Sequence, residues 1–512
     1  MEYAGLLGQA GQSLIGLLTS VDFLWLLLGL AVGTVFGVLP GLGGGQALAL
    51  VLPLTFVLSP QAAVSMLIGV QGGIPTTGSV TSILINTPGT PQSAATTFDG
   101  FPLARQGKAG IAIGATAMSS LLGAFIGIFV LIAVLPLGRS LVLAFSYPEV
   151  FMLAVMGLVS IVAVSGGNVL KGFVSATLGL TIATIGEAVT TGEVRFIYGW
   201  VYLWDGINVV QALVGIFAIP AAITLFLERD KRVAQMSGSE ARSLSMRQTW
   251  EGCMLCFKHI RTLVMSSLVG TIIGIIPGIG GSVANLLAYS LEEKRGVKES
   301  EVRFGQGNIR GVIAPEASNN AKDGGALVPT LIFGVPGSID MAILLGALTI
   351  YGIAPGPRLM LEHSDTIVRI IVSLFVTNVL ASTLILVASR PLASITLVKN
   401  VFLAPTILIL ALMGVYASSG GEPAAMVVTS IIGVLGYMMS ITGYSRVPWV
   451  IGFILGPIAE TTLVQTLASQ GWHAFFVRPI SLVLLLIIVA MLALSVRMVL
   501  RERRELGVVS GS

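Results

Sequence analysis

The residues of this chain that are best suited to binding chemistry are small polar side chains next to proline and glycine. They are Thr76, Thr77, Ser79, Asn86 and Thr90 in the first half, and Asn319, Asn320 and Ser338 in the second. Hydroxyl and amide groups can donate hydrogen bonds to a carboxylate without the stronger charge pairing that would slow its release. The same residue types also join membrane helices, at about 0.6–2 kcal/mol per contact, so each residue alone fits either role.

Two glycine-rich stretches must position these side chains. Residues 33–44 read GTVFGVLPGLGG and residues 270–281 read GTIIGIIPGIGG, with seven of twelve positions identical. In each copy an apolar segment ends at a Pro-Gly pair, where proline removes a main-chain donor and glycine weakens a helix. Lipid cannot satisfy the polar groups so freed, so such a break must face protein or a wet cavity. Paired breaks in two halves are typical of the binding site of a secondary transporter.

The ends of a broken helix predict what each break binds. Free N–H groups at a helix start attract carboxylates, so we add the glycines of the breaks to the polar residues above as predicted substrate-binding residues. These glycines are Gly41, Gly43, Gly44, Gly89, Gly278, Gly280, Gly281 and Gly337. Free carbonyls and amide oxygens can coordinate Na⁺. The predicted Na⁺ site consists of Pro40, Asn86, Pro277, Asn319 and Asp340.

Acidic residues at membrane depth are further candidates for a coupling Na⁺ or H⁺. Asp99, Glu316 and Asp323 belong to this group together with Asp340. Carboxylates inside a membrane usually have functional roles. Lys322 could instead neutralise a neighbouring acid, and the surrounding loops could reach water. The charged cluster at residues 292–295 reads as a solvated face or a partner-contact surface.

The composition excludes a soluble protein. Hydrophobic residues make up 54% of the 512 residues and charged residues only 10%, against about 25% in soluble domains. Long continuous apolar runs predict membrane helices and not the short alternating strands of a barrel. The net charge of +4 fits the positive bias of cytoplasmic loops, and no nucleic-acid partner is expected.

Motifs for enzymatic chemistry are missing from the sequence. The glycine run at residues 41–45 lacks the Lys-Ser/Thr of a nucleotide-binding loop, so neither ATP hydrolysis nor a nucleotide cofactor is expected. A catalytic triad or metalloprotease pattern does not appear either. Cys253 and Cys256 form one isolated pair, which is a weak metal or redox signal. We therefore predict no enzyme and no cofactor.

The apolar segments predict an all-α polytopic membrane protein with about 10–12 transmembrane helices, some of them broken or re-entrant. We divide the chain into a first repeat half at 1–228, a basic cytoplasmic linker at 229–261, a second half at 262–500 and a cytoplasmic tail at 501–512. Pro277 follows Pro40 by 237 residues and Pro336 follows Pro88 by 248, and the extra residues fit into the charged loop at 292–310. We favour an inverted arrangement of the repeats. Residues 314–325 are too polar to lie in lipid.

Several motifs together resemble the large membrane subunit of the tripartite tricarboxylate transporters. They are the two glycine-rich stretches and the runs at 88–102, 314–321 and 351–357, and the resemblance extends over about residues 20–500. It places the glycine motifs of that family on residues 37–44 and 274–281, and its Pro-Glu-Ala-x-Asn-Asn run on residues 315–320. Arg310 is a departure, because Glu is expected there in many relatives.

The resemblance implies a permease of the bacterial inner membrane. The basic residues Arg497, Arg501, Arg503 and Arg504 separately predict a cytoplasmic C-terminus. The expected partners of the permease are a small four-helix membrane subunit, a periplasmic solute-binding protein, an organic carboxylate such as citrate, and the lipid membrane, with a homo-oligomer as a further possibility. Uptake would be driven by an ion gradient, with Na⁺ as the expected ion. An ion channel that uses the same breaks as a filter, or a membrane scaffold without transport of its own, remains an alternative.

Overall fold

The computed structural model describes residues 3–142, 144–164, 169–188, 190–228, 245–277, 280–297, 302–395, 398 and 400–493. Most of these residues are helical, and one short antiparallel pair, Gly186–Glu187 (β1) with Val194–Arg195 (β2), lies among them. The predicted all-α polytopic fold is thereby confirmed. Residues 229–244, in the predicted linker, and 494–512, which include the predicted tail, lie outside the described part.

Two groups of helices surround the breaks. The group from the first half contains α1 (Tyr3–Thr19), α2 (Asp22–Val38), α3 (Gly44–Val51), α4 (Pro60–Ile85), α5 (Ala94–Arg105) and α6 (Ala109–Val142), with 3₁₀ turns at Leu52–Val57 and Pro91–Ser93. The group from the second half contains α11 (Met246–Lys258), α12 (Ile260–Ile275), α13 (Gly280–Lys294), α14 (Arg310–Phe333), α15 (Ile339–Ile350), α16 (Pro357–Glu362) and α17 (Ser364–Ile395).

The remaining helices pack around these groups. They are α7 (Tyr147–Val164), α8 (Val169–Ala183), α9 (Val209–Leu213), α10 (Ile219–Leu227), α18 (Asn400–Ser418), α19 (Pro423–Ile441), α20 (Arg446–Ser469) and α21 (Ala474–Val477), with a 3₁₀ turn at Val201–Leu203. A further apolar helix, Pro479–Ala493, ends the described part of the chain. A π turn at Val214–Ala218 joins α9 to α10. The largest apolar core connects α3 and α4 to α15 and α20.

The two halves begin in the same way. The segment Gly8–Thr19 meets α2 at a bend of 80°, and α11 meets α12 at a bend of 77°. Both α2 and α12 end just before their Pro-Gly pair, since Pro40 and Pro277 cannot donate the next helical hydrogen bond. The last part of the predicted linker is thus helix α11, which packs on α6, whereas α1 packs on α17.

Helices α4 and α14 form the centre. Helix α4 packs against α2 and α17, and α14 packs against α12 and α6. They meet in opposite directions, because Gln71 contacts Asp323 while Ser79, further along α4, contacts Glu316. Antiparallel equivalents are what inverted repeats require, and the repeat arrangement itself stays a prediction.

Equivalent glycines pack in both halves. A Cβ atom on Gly33 would lie 2.3 Å from the carbonyl oxygen of Val70, and one on Gly270 would lie 2.3 Å from that of Ser318. The absence of a side chain lets α2 approach α4, and α12 approach α14, at close distance. The two contacts correspond under the residue offsets deduced from the sequence, so this close helix contact occurs in both halves.

The number of candidate spans is lower than the 10–12 expected. In the part of the chain that the structure describes, six helices are long and apolar enough to cross a membrane, or up to eight if each bent pair forms one span. Several expected spans are shorter apolar helices, among them Tyr147–Val159, Val169–Ala183 and Pro479–Ala493. The central α4 and α14 are long but polar, and since protein covers them on all sides they do not need lipid-compatible surfaces.

Candidate functional site

The Pro-Gly pairs that begin at Pro40, Pro88, Pro277 and Pro336 mark four breaks, and residues at or next to each of them line one cavity of about 660 Å³. Residues 41–46, 88–92, 281–282 and 338–340 each contribute one break to its wall. The remaining wall consists of Phe217, Ser440 and residues 444–447, at the start of α20. The chain therefore brings its four Pro-Gly segments, which lie up to 300 residues apart, to one place.

Four helix starts converge on this cavity. The first turns of α3, α13, α15 and α20 contribute lining residues, for example Gly44, Gly281, Asp340 and Arg446. The N–H groups in the first turn of a helix have no partner within the helix, and the helix start carries a partial positive charge of about half an elementary unit. Such a concentration of N–H groups favours an anion with several carboxylates or phosphates.

Arg446 adds a full positive charge and is the one Lys or Arg among the lining residues that the structure describes. Its Nη1 donates a hydrogen bond to the carbonyl oxygen of Ile216 at 3.3 Å, and its guanidinium lies 5.5 Å from the centre of the Phe217 ring. These contacts hold the side chain while leaving donors for a ligand, since a guanidinium has five N–H groups in a planar fork that matches a carboxylate.

Two glycines in the wall are required by close contacts with charged side chains. A Cβ on Gly44 would lie 2.4 Å from Oδ1 of Asp340, and one on Gly281 would lie 2.3 Å from Cε of Lys322. Asp340 thus sits directly over the start of α3, and the stem of Lys322 passes behind the start of α13. Any larger residue at either position would displace these charges.

A buried polar cluster lies behind the cavity, where α4 crosses α14. Glu316 accepts hydrogen bonds from Ser79 at 2.6 Å, from Ser120 at 3.2 Å and from Thr96. One turn further along α14, Asn320 donates to Thr76 and Asn378.

An ion pair follows on the same helix. Nζ of Lys322 lies 2.5 Å from Oδ1 of Asp323, which also accepts a hydrogen bond from Gln71 at 3.2 Å. All three side chains are nearly inaccessible to solvent. Lys322 therefore pairs with a neighbour, as the sequence suggested, and residues 314–325 avoid lipid by being enclosed in protein as part of α14 and not by reaching water as a loop.

The sequence of this chain is similar to a family of membrane transport proteins. The chain matches the tripartite tricarboxylate transporter TctA family over residues 23–451. It belongs to that family. TctA proteins are large membrane subunits of transporters that also need partner subunits and a binding protein, which agrees with the resemblance predicted from the motifs.

The similar proteins have no described activity. One protein of Agrobacterium vitis, described as an uncharacterized 52.8 kDa protein in the TAR-I ttuC' 3' region, is 32% identical over 490 residues, which cover 95% of this chain and 96% of that protein. A second A. vitis protein, described as uncharacterized and in the TAR-II ttuC' 3' region, is 31% identical over 238 residues, 46% of this chain and 97% of its own. No solved structure matches the chain significantly.

The structure of this TctA-family chain places about half of the predicted binding residues at the cavity. Those in its wall are Gly41, Gly43, Gly44, Gly89, Thr90, Gly281, Ser338 and Asp340. Helix α13 begins at Gly280, next to the wall, and Gly278 lies outside the described residues. Pro40 and Pro277 occupy the turns that follow α2 and α12.

The other predicted residues lie away from the cavity wall. Thr76, Ser79, Asn319 and Asn320 belong to the α4–α14 crossing, and Thr77 donates to the Gly73 carbonyl within α4. Asn86 ends α4 in a left-handed conformation with φ of 54°. Gly337 packs against Ala326 and donates its N–H to Thr330. The five residues of the predicted Na⁺ site are thus spread over several places, and only Asp340 reaches the cavity.

Two acidic groups have structural partners. Asp99 accepts hydrogen bonds from Tyr289 and from the main-chain N–H groups of Gly307 and Asn308, all at 2.8 Å, and so anchors the loop before α14. Glu292 is buried and pairs with Arg310 at 2.5 Å, which corrects the expectation that the whole 292–295 cluster is solvated. Residues 293–295 are exposed as expected. The departure at Arg310 therefore supplies the partner of a buried carboxylate.

Sequence reasoning missed Arg446 and Gln71. Arg446 stands alone between two apolar spans, and an isolated cation at the start of a membrane helix is a usable signal. Gln71 precedes Pro75 by four residues on α4, a position whose main-chain carbonyl loses its helical donor. Neither signal could show that the residue approaches the breaks, because the contacts join segments more than 200 residues apart.

Proposed function

We propose that this TctA-family subunit takes up a tricarboxylate or related organic carboxylate across the bacterial inner membrane, driven by an ion gradient, with Na⁺ as the ion. The observation that supports this most directly is the convergence of four helix starts and Arg446 on one cavity. N–H groups and a guanidinium bind carboxylates through charge-assisted hydrogen bonds.

The size and charge of the cavity suit a small polyanion. About 660 Å³ lies within the range of small-molecule sites, and citrate would leave room for ordered water. Asp340 and Arg446 give the wall one charge of each sign, so the excess positive potential comes from helix starts. Such partial charges hold a carboxylate less firmly than several arginines would, which favours release.

The remaining parts of the proposal follow from the tripartite family. A small four-helix membrane subunit would assemble with this chain, and a periplasmic solute-binding protein would deliver the substrate. We place the C-terminus in the cytoplasm, and homo-oligomers are compatible with this arrangement. Transport would occur by alternating access, with the bundle that contains the breaks moving relative to a scaffold as an elevator. Structures of inward- and outward-facing states would disprove this movement if the cavity kept one membrane depth.

The test is uptake of radiolabelled carboxylates into proteoliposomes that contain all three proposed subunits. We expect saturable uptake that requires a Na⁺ gradient, and a loss of about tenfold or more for Arg446→Gln because one charge-assisted bond disappears. Arg446→Lys should retain part of the activity, and the exposed Arg358→Gln, outside the cavity, should behave as the wild type.

The alternatives predict other outcomes of the same measurements. A channel would give ohmic currents in planar bilayers without saturation. A scaffold would leave uptake unchanged when Arg446, Asn86 or Asn319 is replaced. Saturable uptake that is indifferent to Arg446 would contradict the placement of the substrate in this cavity while leaving the carrier function standing.

A further inference from the structure

The crossing of α4 and α14 contains buried oxygen atoms that accept no hydrogen bond from any residue that the structure describes. They include Oε1 of Gln71, Oδ1 of Asn319 and Oδ2 of Asp323, on side chains whose exposed fractions are 3%, 0% and 1%. Leaving a buried acceptor unpaired costs about 1–3 kcal/mol. Three such acceptors on facing helices indicate a ligand that supplies positive charge.

The orientation of these groups is set by the donors on the same side chains. The Gln71 amide donates to Asp323 at 3.2 Å, and the Asn319 amide donates to the carbonyl oxygen of Pro75 at 3.4 Å. Because both amide NH₂ groups donate to these partners, the amide oxygens of Gln71 and Asn319 remain available to a ligand. Asn319 and Asp323 lie one helical turn apart on α14, so both face the same part of α4.

Pro75 adds a further oxygen at this point. A proline inside a helix cannot donate to the carbonyl four residues before it, so the main-chain carbonyl of Gln71 loses its helical partner. The Gln71 residue therefore offers both a main-chain and a side-chain oxygen. Amide, carbonyl and carboxylate oxygens are the ligands of hard cations, and unwound carbonyls in membrane helices commonly coordinate Na⁺.

The local charge is negative. Lys322 pairs with Asp323, and Asp340 lies within electrostatic reach of the same ammonium group. One cation thus serves two carboxylates, and Glu316 has only hydroxyl partners in the described part of the chain. A monovalent cation would compensate the remaining charge.

We propose that the coupling cation binds at the α4–α14 crossing, coordinated by Gln71, Asn319 and Asp323. The identity of the ion as Na⁺ rests on the proposed function. Lys322 connects this site to the cavity, because its ammonium contacts Asp323 and its stem contacts Gly281 in the cavity wall. Occupancy of the cation site can therefore change the position of a charge behind the substrate.

The experiment measures Na⁺ binding without substrate. The purified full chain in detergent is heated while NaCl replaces choline chloride at constant total salt, and the unfolding midpoint is recorded. We expect the wild type to be stabilised by Na⁺ and not by choline. Asn319→Ala should raise the Na⁺ concentration that gives half of the maximal stabilisation by about tenfold or more, since one coordinating oxygen is lost.

Ser318→Ala is the matched control. Ser318 is adjacent on the same helix, is buried and also has an unpaired oxygen, but its main chain packs on Gly270 of α12. Its Na⁺ titration should equal that of the wild type. Gln71→Met keeps the length of the side chain and removes its oxygen, so it provides the answer if Asn319→Ala does not fold.

The outcomes separate this site from the proposed function. A wild type without Na⁺-specific stabilisation would overturn the site, as would Asn319→Ala and Gln71→Met titrating like Ser318→Ala. If uptake by the wild type needs Na⁺ in either case, the proposed function stands and only the location is wrong. A shift caused by Asn86→Ala instead would favour the scattered Na⁺ set predicted from the sequence.

Discussion

The central helices α4 and α14 occupy equivalent positions in the two halves but differ in chemistry. Both are enclosed by protein and both end in a left-handed residue before a Pro-Gly pair, Asn86 in one and Gly334 in the other. Helix α4 contains no charged residue, whereas α14 contains Arg310, Glu316, Lys322 and Asp323. The close glycine contacts and the left-handed ends occur on both helices, whereas the charges occur on one.

This difference gives the two central helices different roles in the buried polar cluster. The first half supplies hydroxyl and amide groups, such as Ser79 and Gln71, that bond to the charges of the second half. Because their partners are charged, these hydrogen bonds contribute about 1.5–3 kcal/mol each, so α4 stabilises the charges of α14 without adding charge of its own. We infer that selectivity for ions resides mainly on α14, and that α4 completes its coordination.

The largest effect is expected from removing the one buried cation of α14 near the cavity. Lys322→Met leaves Asp323 buried without its ion-pair partner and should lower the free energy of unfolding by about 3–5 kcal/mol. Thermal unfolding in Na⁺-free detergent buffer measures this. The double variant Lys322→Met/Asp323→Leu should recover most of the stability but no uptake, and recovery of uptake would remove this pair from the transport cycle.

A smaller loss of stability is expected when a serine hydroxyl that donates to Glu316 is removed. Ser79→Ala and Ser120→Ala each remove one donor from Glu316 and should cost about 1.5–3 kcal/mol, as for hydrogen bonds to charged groups. Ser175→Ala is the control, because this buried serine has no hydrogen-bond partner among the described residues and its replacement should change stability little. Equal small losses in all three variants would show that Glu316 does not depend on these hydroxyls.

The equivalence of the backbone frame can be tested with glycines. Gly33→Ala and Gly270→Ala place a Cβ 2.3 Å from a carbonyl oxygen of the neighbouring central helix, and each should cost about 1–3 kcal/mol. Gly16→Ala, which meets nothing within 4 Å, should be neutral or stabilising. A penalty in one half and none in the other would break the comparison, and the folded yield and unfolding midpoint of the three variants decide it.

The sequence alone predicted the positions of the helix breaks and part of the cavity wall. The repeated GTxxGxxPGxGG stretches predicted paired breaks, and the cavity does contain Gly44, Gly89, Gly281 and Ser338 from all four. Helix ends follow from local chemistry, because proline and glycine act on their own neighbours. The motif resemblance also predicted the family correctly.

The rest depended on contacts between distant segments. Nothing local distinguishes Arg446 from a topology signal, or Asp99 from a cation ligand, until the loops that each residue meets are known. The polarity of residues 314–325 excluded lipid, but the same composition fits a solvated loop and an enclosed helix. The choice between them depends on the small residues of α6 and α12 that pack around α14, such as Gly123 and Gly270.

The smallest effect concerns the ends of the two central helices. Gly334 has a φ of 70°, in the left-handed region. Gly334→Ala should therefore lower the free energy of unfolding by about 1–2 kcal/mol, because a residue with a Cβ is strained in this conformation. Gly334→Asn should cost less, since Asn86 adopts the same conformation at the equivalent position of α4, and Asn86→Gly should be nearly neutral. Unfolding midpoints of the three variants measure the order. If Gly334→Asn is as harmful as Gly334→Ala, the two helix ends are not interchangeable, and the likeness of the halves stops before the breaks.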